Sequence, residues 1–344
     1  MKIGIEASRL TEKQRTGTEN YLYNLVKCFS DLDHENEYIL YLRERPSEKL
    51  WSELSNGNPK FSYKALRPFL SWTQVSLAME LLRSPPDVLF CPWHTMPGLN
   101  PFWKMKTVSA FHDATGRFIP SFWTVKFSSK IICVSKRTRD EVVRRFRANL
   151  AKLSVVYEGY DQRLSPTKKR YDGIEGDYIL FLGSLGPRKN LEKMVEAYLR
   201  INTEADFVVA GKVLPGSENL AKLPVKYIGR AGDSDLAALY SGAAFLAFAS
   251  KEEGFGLPIL EAQSCGTPVL ASDISVMREI AGDAALFVNP DSVDSIQEGM
   301  QKLLIDENLR RELARKGFEN IKRFSWENSA RQILEVFEKV ANGK

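Results

Sequence analysis

Short apolar runs alternate with amphipathic stretches along almost the whole chain. The runs "KIGIEA" (2–7), "YILYL" (38–42), "DVLFCP" (87–92), "KTVSAFH" (106–112), "KIICVS" (130–135) and "LSVVYEG" (153–159) read as buried strands. A polar stretch, "DQRLSPTKKRYDGIEGD" (161–177), then reads as a linker. A second series follows: "YILFLGS" (178–184), "ADFVVAGK" (205–212), "VKYIGRAG" (225–232), "AAFLAFAS" (243–250), "TPVLAS" (267–272) and "AALFVNP" (284–290). Repeated strand–helix alternation predicts parallel sheets covered on both faces. The expected fold class is therefore α/β, with two doubly wound domains. The boundaries expected are 1–163 and 164–325, with a C-terminal helix over 326–344. No internal repeat or low-complexity segment interrupts this order.

In such folds ligands bind at the carboxyl ends of strands, in the loops that lead to helices. Three of these corners carry chemistry. In "YILFLGSLGPRKNLEKMVEAYL" (178–199), Leu191, Met194, Val195, Tyr198 and Leu199 share one helical face. Asn190 is placed as the N-cap, with Glu192 in the first turn. Arg188 and Lys189 thus stand before a helix N-terminus, whose dipole and free N–H groups already favour an anion. That arrangement fits a phosphate or diphosphate ligand; a pair of solvated loop cations fits the spacing equally.

The second corner is "ASKEEGFGLPILEAQSCGTPVLAS" (249–272), where seven residues separate Glu253 from Glu261. Pro258 suits the first turn of a helix that ends near Gly266. Glu253 then lies in the loop, and Gly254 and Gly256 let the backbone come close to a ligand. Glu261, about a turn into the helix, can accept hydrogen bonds from vicinal hydroxyls. A surface glutamate followed by a helix-dipole glutamate is the alternative. The third corner is "EASRLTEKQRTGTENYLYNLVKCF" (6–29). Tyr21, Leu22, Leu25 and Phe29 mark a helix, Thr16 and Glu19 form a possible capping box, and Gly17 sits at the loop-to-helix junction. There the glycine could equally serve only the turn. Neither a G-x-G-x-x-G fingerprint nor a P-loop is present, which lowers hydride transfer and P-loop hydrolysis.

Composition narrows the picture further. Hydrophobic residues make up 44% of 344 residues and charged ones 26%, ordinary for a globular protein with two domains. A net charge of +5 permits an anionic partner without requiring one. Cys28, Cys91, Cys133 and Cys265 form no C-x-x-C pair and read as reduced core thiols. With three histidines, a zinc site of the usual spacing is not expected, and no metal ligand is assigned. "MKIGIEA" enters a strand directly without a signal-peptide pattern, and no apolar run approaches the ~20 residues that span a bilayer. A cytoplasmic location is expected.

Together these residues resemble the retaining glycosyltransferase family 4, whose members share the two-domain GT-B fold. "EEGFGLPILEAQSCGTPVLAS" resembles the family's E-x7-E motif and "GSLGPRKNLEKMVEAY" its R-K-N phosphate corner. "SAFHD" (109–113) resembles the N-terminal histidine motif, "TGTENYLYNLV" the glycine loop, and "FSWENSARQILEVFE" (324–338) the helix that returns to the first domain. The resemblance covers nearly the whole chain. It implies that Arg188 and Lys189 hold the donor diphosphate and stabilise the leaving group. Glu261 would bind the ribose, and Glu253 the transferred sugar near its anomeric carbon. Backbone N–H groups at Phe255, Gly256 and Leu257 would assist at the phosphates, with Gly254 in the same turn. His112 would contact the sugar from across the cleft, and Gly17 would admit the N-terminal loop to phosphates and acceptor. Domain closure would hinge near 161–177.

The resemblance also implies a nucleotide-diphospho-sugar donor, no divalent metal and no other cofactor. Fixed cations and helix dipoles can stabilise a departing diphosphate without an ion. Retention by same-face attack, with a phosphate oxygen taking the acceptor's proton, fits the lack of a glycosidase-type carboxylate pair. Three departures stand out: one glycine in Thr16-Gly17-Thr18 where many relatives have two, Glu6 where relatives often carry aspartate, and a short segment after His112. Acceptor placement cannot be carried over there.

The family's bacterial mannosyltransferases of surface-polysaccharide assembly resemble the chain most, which favours GDP-mannose with a UDP-hexose second. The acceptor expected is a saccharide or lipid-linked saccharide. Between Arg117 and Lys152, ten Lys/Arg stand against two Asp/Glu, interleaved with Phe118, Phe122, Trp123 and Phe127. That stretch can seat a protein on the anionic inner face of a membrane; a solvated basic face over buried aromatics is the alternative. No nucleic-acid-binding motif accompanies the charge. Two rival functions remain: a sugar-nucleotide epimerase of the same fold, and a non-catalytic nucleotide-sugar-binding subunit.

Overall fold

The computed structural model describes residues 1–12, 17–67, 69–98, 105–113 and 118–343. The chain forms two units, Met1–Gly159 with Phe324–Lys344, and Tyr160–Arg323. The divisions thus fall at 159/160 and 323/324, a few residues before the 163/164 and 325/326 that the sequence leads one to expect.

In the first unit seven strands form one parallel sheet. They are β1 (Lys2–Glu6), β2 (Glu37–Leu42), β3 (Phe61–Ala65), β4 (Val88–Cys91), β5 (Thr107–Phe111), β6 (Lys130–Cys133) and β7 (Leu153–Val155), in the order β3-β2-β1-β4-β5-β6-β7. β1 pairs with β2 on one side and β4 on the other, Ile5 facing Leu40 and Phe90 in register. The central strands are mostly apolar because helices cover both faces, and Ile3, Ile5, Leu40, Phe90 and Phe111 are fully buried. β3 was not foreseen. It is an edge strand whose residues after Phe61 are only half-buried or exposed, so it lacks the apolar run that marked the others.

The helices of this unit are α1 (Gly17–Leu32), α2 (Glu48–Ser55), α3 (Ala78–Arg83), α4 (Phe118–Phe127) and α5 (Lys136–Phe146); a π-helical turn over Trp72–Leu77 runs into α3. Tyr21, Leu22, Leu25 and Phe29 of α1 are fully buried, as their spacing predicts. Thr16, and with it the proposed capping box, lies outside the described residues, as does Arg117. α5 is capped by Ser135, whose Oγ accepts the Thr138 N–H at 3.0 Å. The C-terminal helix, Trp326–Ala341, lies in this unit. Its fully buried Phe337 packs against Phe29 and Phe90, with ring centroids 5.9 and 5.4 Å apart. Gly159 permits this return, since a Cβ there would stand 2.2 Å from the Trp326 backbone nitrogen.

The second unit repeats the plan with six strands. β8 (Tyr178–Leu182), β9 (Asp206–Ala210), β10 (Lys226–Tyr227), β11 (Phe245–Phe248), β12 (Val269–Ser272) and β13 (Leu286–Val288) run parallel in the order β10-β9-β8-β11-β12-β13. The helices are α6 (Leu191–Leu199), α7 (Leu236–Ser241), α8 (Leu257–Ser264), α9 (Ser275–Ala281), α10 (Val293–Ile305) and α11 (Glu307–Asn320). Phe181, Phe207 and Phe245 fill the core. β10 is shorter than the run 225–232 suggests, although backbone bonds to the β9 segment continue past it, from Ile228 N–H to the Val209 carbonyl at 3.0 Å and from Gly211 N–H to the Gly229 carbonyl at 2.7 Å. Residues 161–177 hold no helix or strand. They are not a bare linker, however: Leu164 and Ile174 are buried, and the Thr167 N–H bonds Ser241 Oγ at 3.1 Å.

In each sheet the chain winds one way for three strands, then crosses to the other side. The switch points lie between β1 and β4, and between β8 and β11. Loops at the carboxyl ends of those strand pairs diverge and leave a crevice for ligands.

Candidate functional site

The switch point of the second unit brings together residues far apart in sequence. The β8–α6 loop carries Arg188 and Lys189 in a 3₁₀ turn, Pro187–Lys189. The β11–α8 loop carries Glu253 and the glycine turn. Backbone ties hold the loops together: the Lys251 N–H donates to the Arg188 carbonyl at 2.9 Å. Asn190 adds two more through its side-chain amide, to the carbonyls of Ala249 at 3.0 Å and Pro290 at 2.8 Å. This corrects the expected cap. Asn190 does occupy the N-cap position of α6, but in left-handed conformation (φ 58°) with no side-chain cap bond. Its amide joins three strand-end loops instead.

Lys189 is not an unneutralised cation. Its Nζ donates to Glu253 Oε1, with the two side chains 20% and 13% exposed, and stands 5.0 Å from the centroid of the Phe248 ring. The repulsion expected of paired cations before a helix N-terminus is therefore offset by the glutamate from the neighbouring loop. Arg188, beside it, is exposed.

Past Glu253 the chain runs through Gly254 and the buried Phe255 to Gly256, the N-cap of α8. Gly256 has φ +108°, a conformation that side-chain-bearing residues rarely adopt. The need is for the backbone angle rather than for space, since a Cβ would meet only ordinary contacts with Ile259 and Met277. Leu257 and Pro258 open the helix, and Glu261 follows a turn later. Its Oε2 accepts the Tyr240 hydroxyl at 2.7 Å. Glu261 keeps some open surface although protein encloses it on nearly all sides. Burial pushes its carboxyl up, the Asp161 and Asp233 carboxylates add to this, and the Tyr240 bond opposes it.

At the carboxyl end of the first unit's sheet stands His112. Its Nδ1 is 3.0 Å from Glu158 Oε1 and its Nε2 3.0 Å from the Pro92 carbonyl. Both ring nitrogens therefore have an oxygen neighbour, which fixes the orientation of the imidazole. The Tyr21 ring meets it edge-on at 4.5 Å, and its backbone N–H donates to His94 Nε2 at 3.4 Å. His94 is pushed down to about 4 by burial and by His112 nearby. Gly17 begins α1, is not in the left-handed region, and a Cβ there would meet no described atom within 4 Å. A tight turn therefore does not require glycine at that position.

Several groups here escaped the sequence reading as site residues. Glu158 and Glu6 each put a charge at the end of an apolar run, which is the one local signal available. Glu6 ends β1, is fully buried, and accepts the Ser8 N–H at 3.2 Å, while its Oε2 has no hydrogen-bond partner among the described residues. Burial pushes its carboxyl up to about 7. Tyr240 and His94 carried no local signal at all.

Two family profiles match the chain in succession: Glycosyltransferase Family 4 over residues 15–164 and Glycosyl transferases group 1 over residues 168–320. O-antigen chain mannosyltransferase B of Escherichia coli is 30% identical over 266 residues, covering 67% of this chain and 70% of that protein. Among solved structures, a sucrose-phosphate synthase from Thermosynechococcus elongatus aligns with TM-score 0.79 at 17% identity over all of both chains. HepE of Anabaena, in complex with UDP and glucose, aligns with TM-score 0.79 at 18% identity, over 98% of this chain and 100% of that one. At these identities the structural likeness bears on the fold.

Proposed function

This chain belongs to the glycosyltransferases of group 1 and family 4, with the GT-B fold, and we propose that it transfers mannose from GDP-mannose, with retention, to a saccharide or lipid-linked saccharide. The observation that carries this reading is the switch point of the second unit. There Arg188 and Lys189 stand before the N-terminus of α6, Lys189 is bonded to Glu253 of the loop after the neighbouring strand β11, and the Gly256 turn and Glu261 follow in that loop and α8. The mannosyl assignment takes its support from the name of the Escherichia coli relative.

Each role follows from charge. Breaking a glycosyl–phosphate bond builds positive charge on the sugar ring and negative charge on the departing diphosphate. Arg188 and Lys189 meet the latter, aided by the N-terminal dipoles of α6 and α8. In this reading that positive charge takes the place of a divalent ion. Glu261, oriented by Tyr240, accepts the ribose hydroxyls, and Glu253 accepts hydroxyls of the transferred sugar. The turn Gly254–Leu257 brings backbone N–H groups to the phosphates. His112 is proposed as the first unit's sugar contact, its ring fixed by Glu158 and Pro92, and Gly17 as an opening for phosphates and acceptor.

A UDP-hexose donor is the second reading, favoured by the UDP-bound structural neighbour. Incubation with GDP-mannose, a saccharide acceptor and EDTA tests the proposal, with product read by NMR. An α-mannoside formed at an unchanged rate in EDTA is expected. Turnover of UDP-glucose alone would favour the second reading; a β-product or loss of activity in EDTA would contradict retention or metal independence.

We place the reaction on the cytoplasmic side, at an anionic membrane surface. No helix among the described residues is long and apolar enough to cross a bilayer. On α4, Ile119 and Phe122 are exposed beside Lys126, while Trp123 and Phe127 pack on each other. Arg144 and Arg145 are exposed on α5. This pattern of apolar tips among cations suits interfacial contact. Sedimentation with anionic vesicles at low salt is the test, and a chain left wholly in the supernatant would end the idea.

A further inference from the structure

We propose that Glu253 also discriminates between the sugar nucleotide and the bare nucleoside diphosphate, weakening the hold on product by competing for Lys189. The inference rests on the reading in which Lys189 meets the donor diphosphate.

Lys189 and Glu253 are bonded to one another and largely enclosed, so their coupling is screened far less than a surface pair's. Their loops are joined by the Lys251–Arg188 backbone bond and by the Asn190 amide on Ala249. The two charges are therefore held together by the fold. Any phosphate oxygen that approaches Lys189 also approaches the Glu253 carboxylate.

The two ligands meet that carboxylate differently. In the sugar nucleotide each phosphate is substituted twice, by one ester and one anhydride link, and carries a single charge, while the sugar presents hydroxyl donors whose hydrogen bonds a carboxylate accepts. Transfer breaks the bond from the anomeric carbon to the phosphate oxygen and forms the bond to the acceptor oxygen. The acceptor's proton passes to the β-phosphate and from there to solvent. The product then ends in a terminal phosphate, held only by its anhydride link and carrying roughly −1.5 to −2 at pH 7, and the transferred sugar's hydroxyls are gone. Glu253 has lost its hydrogen-bond donors and faces added negative charge. Its return to Lys189 favours departure of the nucleotide.

Calorimetric titration and stopped-flow dissociation with GDP, GDP-mannose, UDP and UDP-glucose test this on the full chain and three variants. Glu253→Gln should bind the cognate diphosphate at least tenfold tighter and release it more slowly, while affinity for the sugar nucleotide is unchanged or falls. Lys189→Met should weaken both ligands, and the double variant should lose the gain seen in Glu253→Gln. If Glu253→Gln does not fold, Glu253→Ala should change diphosphate affinity in the same direction. Weaker diphosphate binding in Lys189→Met without tighter binding in Glu253→Gln overturns the discrimination and leaves the donor reading standing. Unchanged affinities in Lys189→Met, or no nucleotide bound by the wild type, would remove the donor reading and this proposal with it.

Discussion

The two sheets share one winding scheme, yet their switch points hold opposite kinds of chemistry. In the second unit the polar groups are largely enclosed and paired between neighbouring segments: the Lys189 ammonium with the Glu253 carboxylate, and Glu261 with the Tyr240 hydroxyl. In the first unit they are sunk and muted: Glu6 is fully buried with its carboxyl near 7, and His94 is held neutral. The first arrangement offers charged partners that an anionic ligand could exchange; the second keeps Glu6 and His94 enclosed in fixed positions. Topology supplies a crevice in both cases, and the side chains at the strand ends decide its use.

The largest effect that would break this contrast is at Arg188. Arg188→Ala should lower transfer by about 10²–10³-fold, the usual loss when one fixed group facing developing negative charge is removed. Because Arg188 is exposed, stability should stay within about 0.5 kcal/mol. Loss of folding would instead make it a structural residue, and equal activity would leave the second unit's charges without a catalytic task. Steady-state rates alongside thermal melts decide between these.

Glu6 sharpens the other side. Burial raises its folded carboxyl from the ordinary carboxylate range to about 7, so the unfolded chain loses this proton first. Between pH 4.5 and 7 the folded state therefore binds more protons, and the Glu6 contribution to stability falls as pH rises. Glu6→Gln should stabilise the chain by up to about 3 kcal/mol above pH 7, with the gain vanishing near pH 4.5. Denaturant titrations of both proteins across that range would show it; a difference independent of pH would mean Glu6 does not titrate there.

Tyr240→Phe should give the smallest change. Removing the hydroxyl frees Glu261 to move, weakening nucleotide binding by about 1 kcal/mol, or roughly fivefold. Unchanged affinity would show that Glu261 needs no positioning.

These comparisons also mark what a sequence can reveal. The corner at 178–199 and the two glutamates around the glycine turn were readable because each is contained in one short segment with helical periodicity and turn residues. The alternation of strands and helices was readable because buried parallel strands are nearly all apolar. β3 was not, since a half-buried edge strand has no such run. The Lys189–Glu253 bond joins residues 64 positions apart and exists only because β8 and β11 are neighbours. Asn190 satisfied a local rule for capping, but the loops around it claimed its amide. Tyr240 reaches Glu261 from α7, a contact that only the packing of helices creates.

The most direct test of the donor site is thermal unfolding with GDP, UDP and ADP, each in millimolar excess with EDTA present. A ligand at about 100 times its dissociation constant stabilises the folded state by roughly 2.7 kcal/mol, enough to raise the melting temperature by several degrees. The predicted result is a clear shift with GDP, little with UDP or ADP, and no shift in Arg188→Ala. Equal melting temperatures with and without every nucleotide would contradict a preformed donor site at the second unit's switch point.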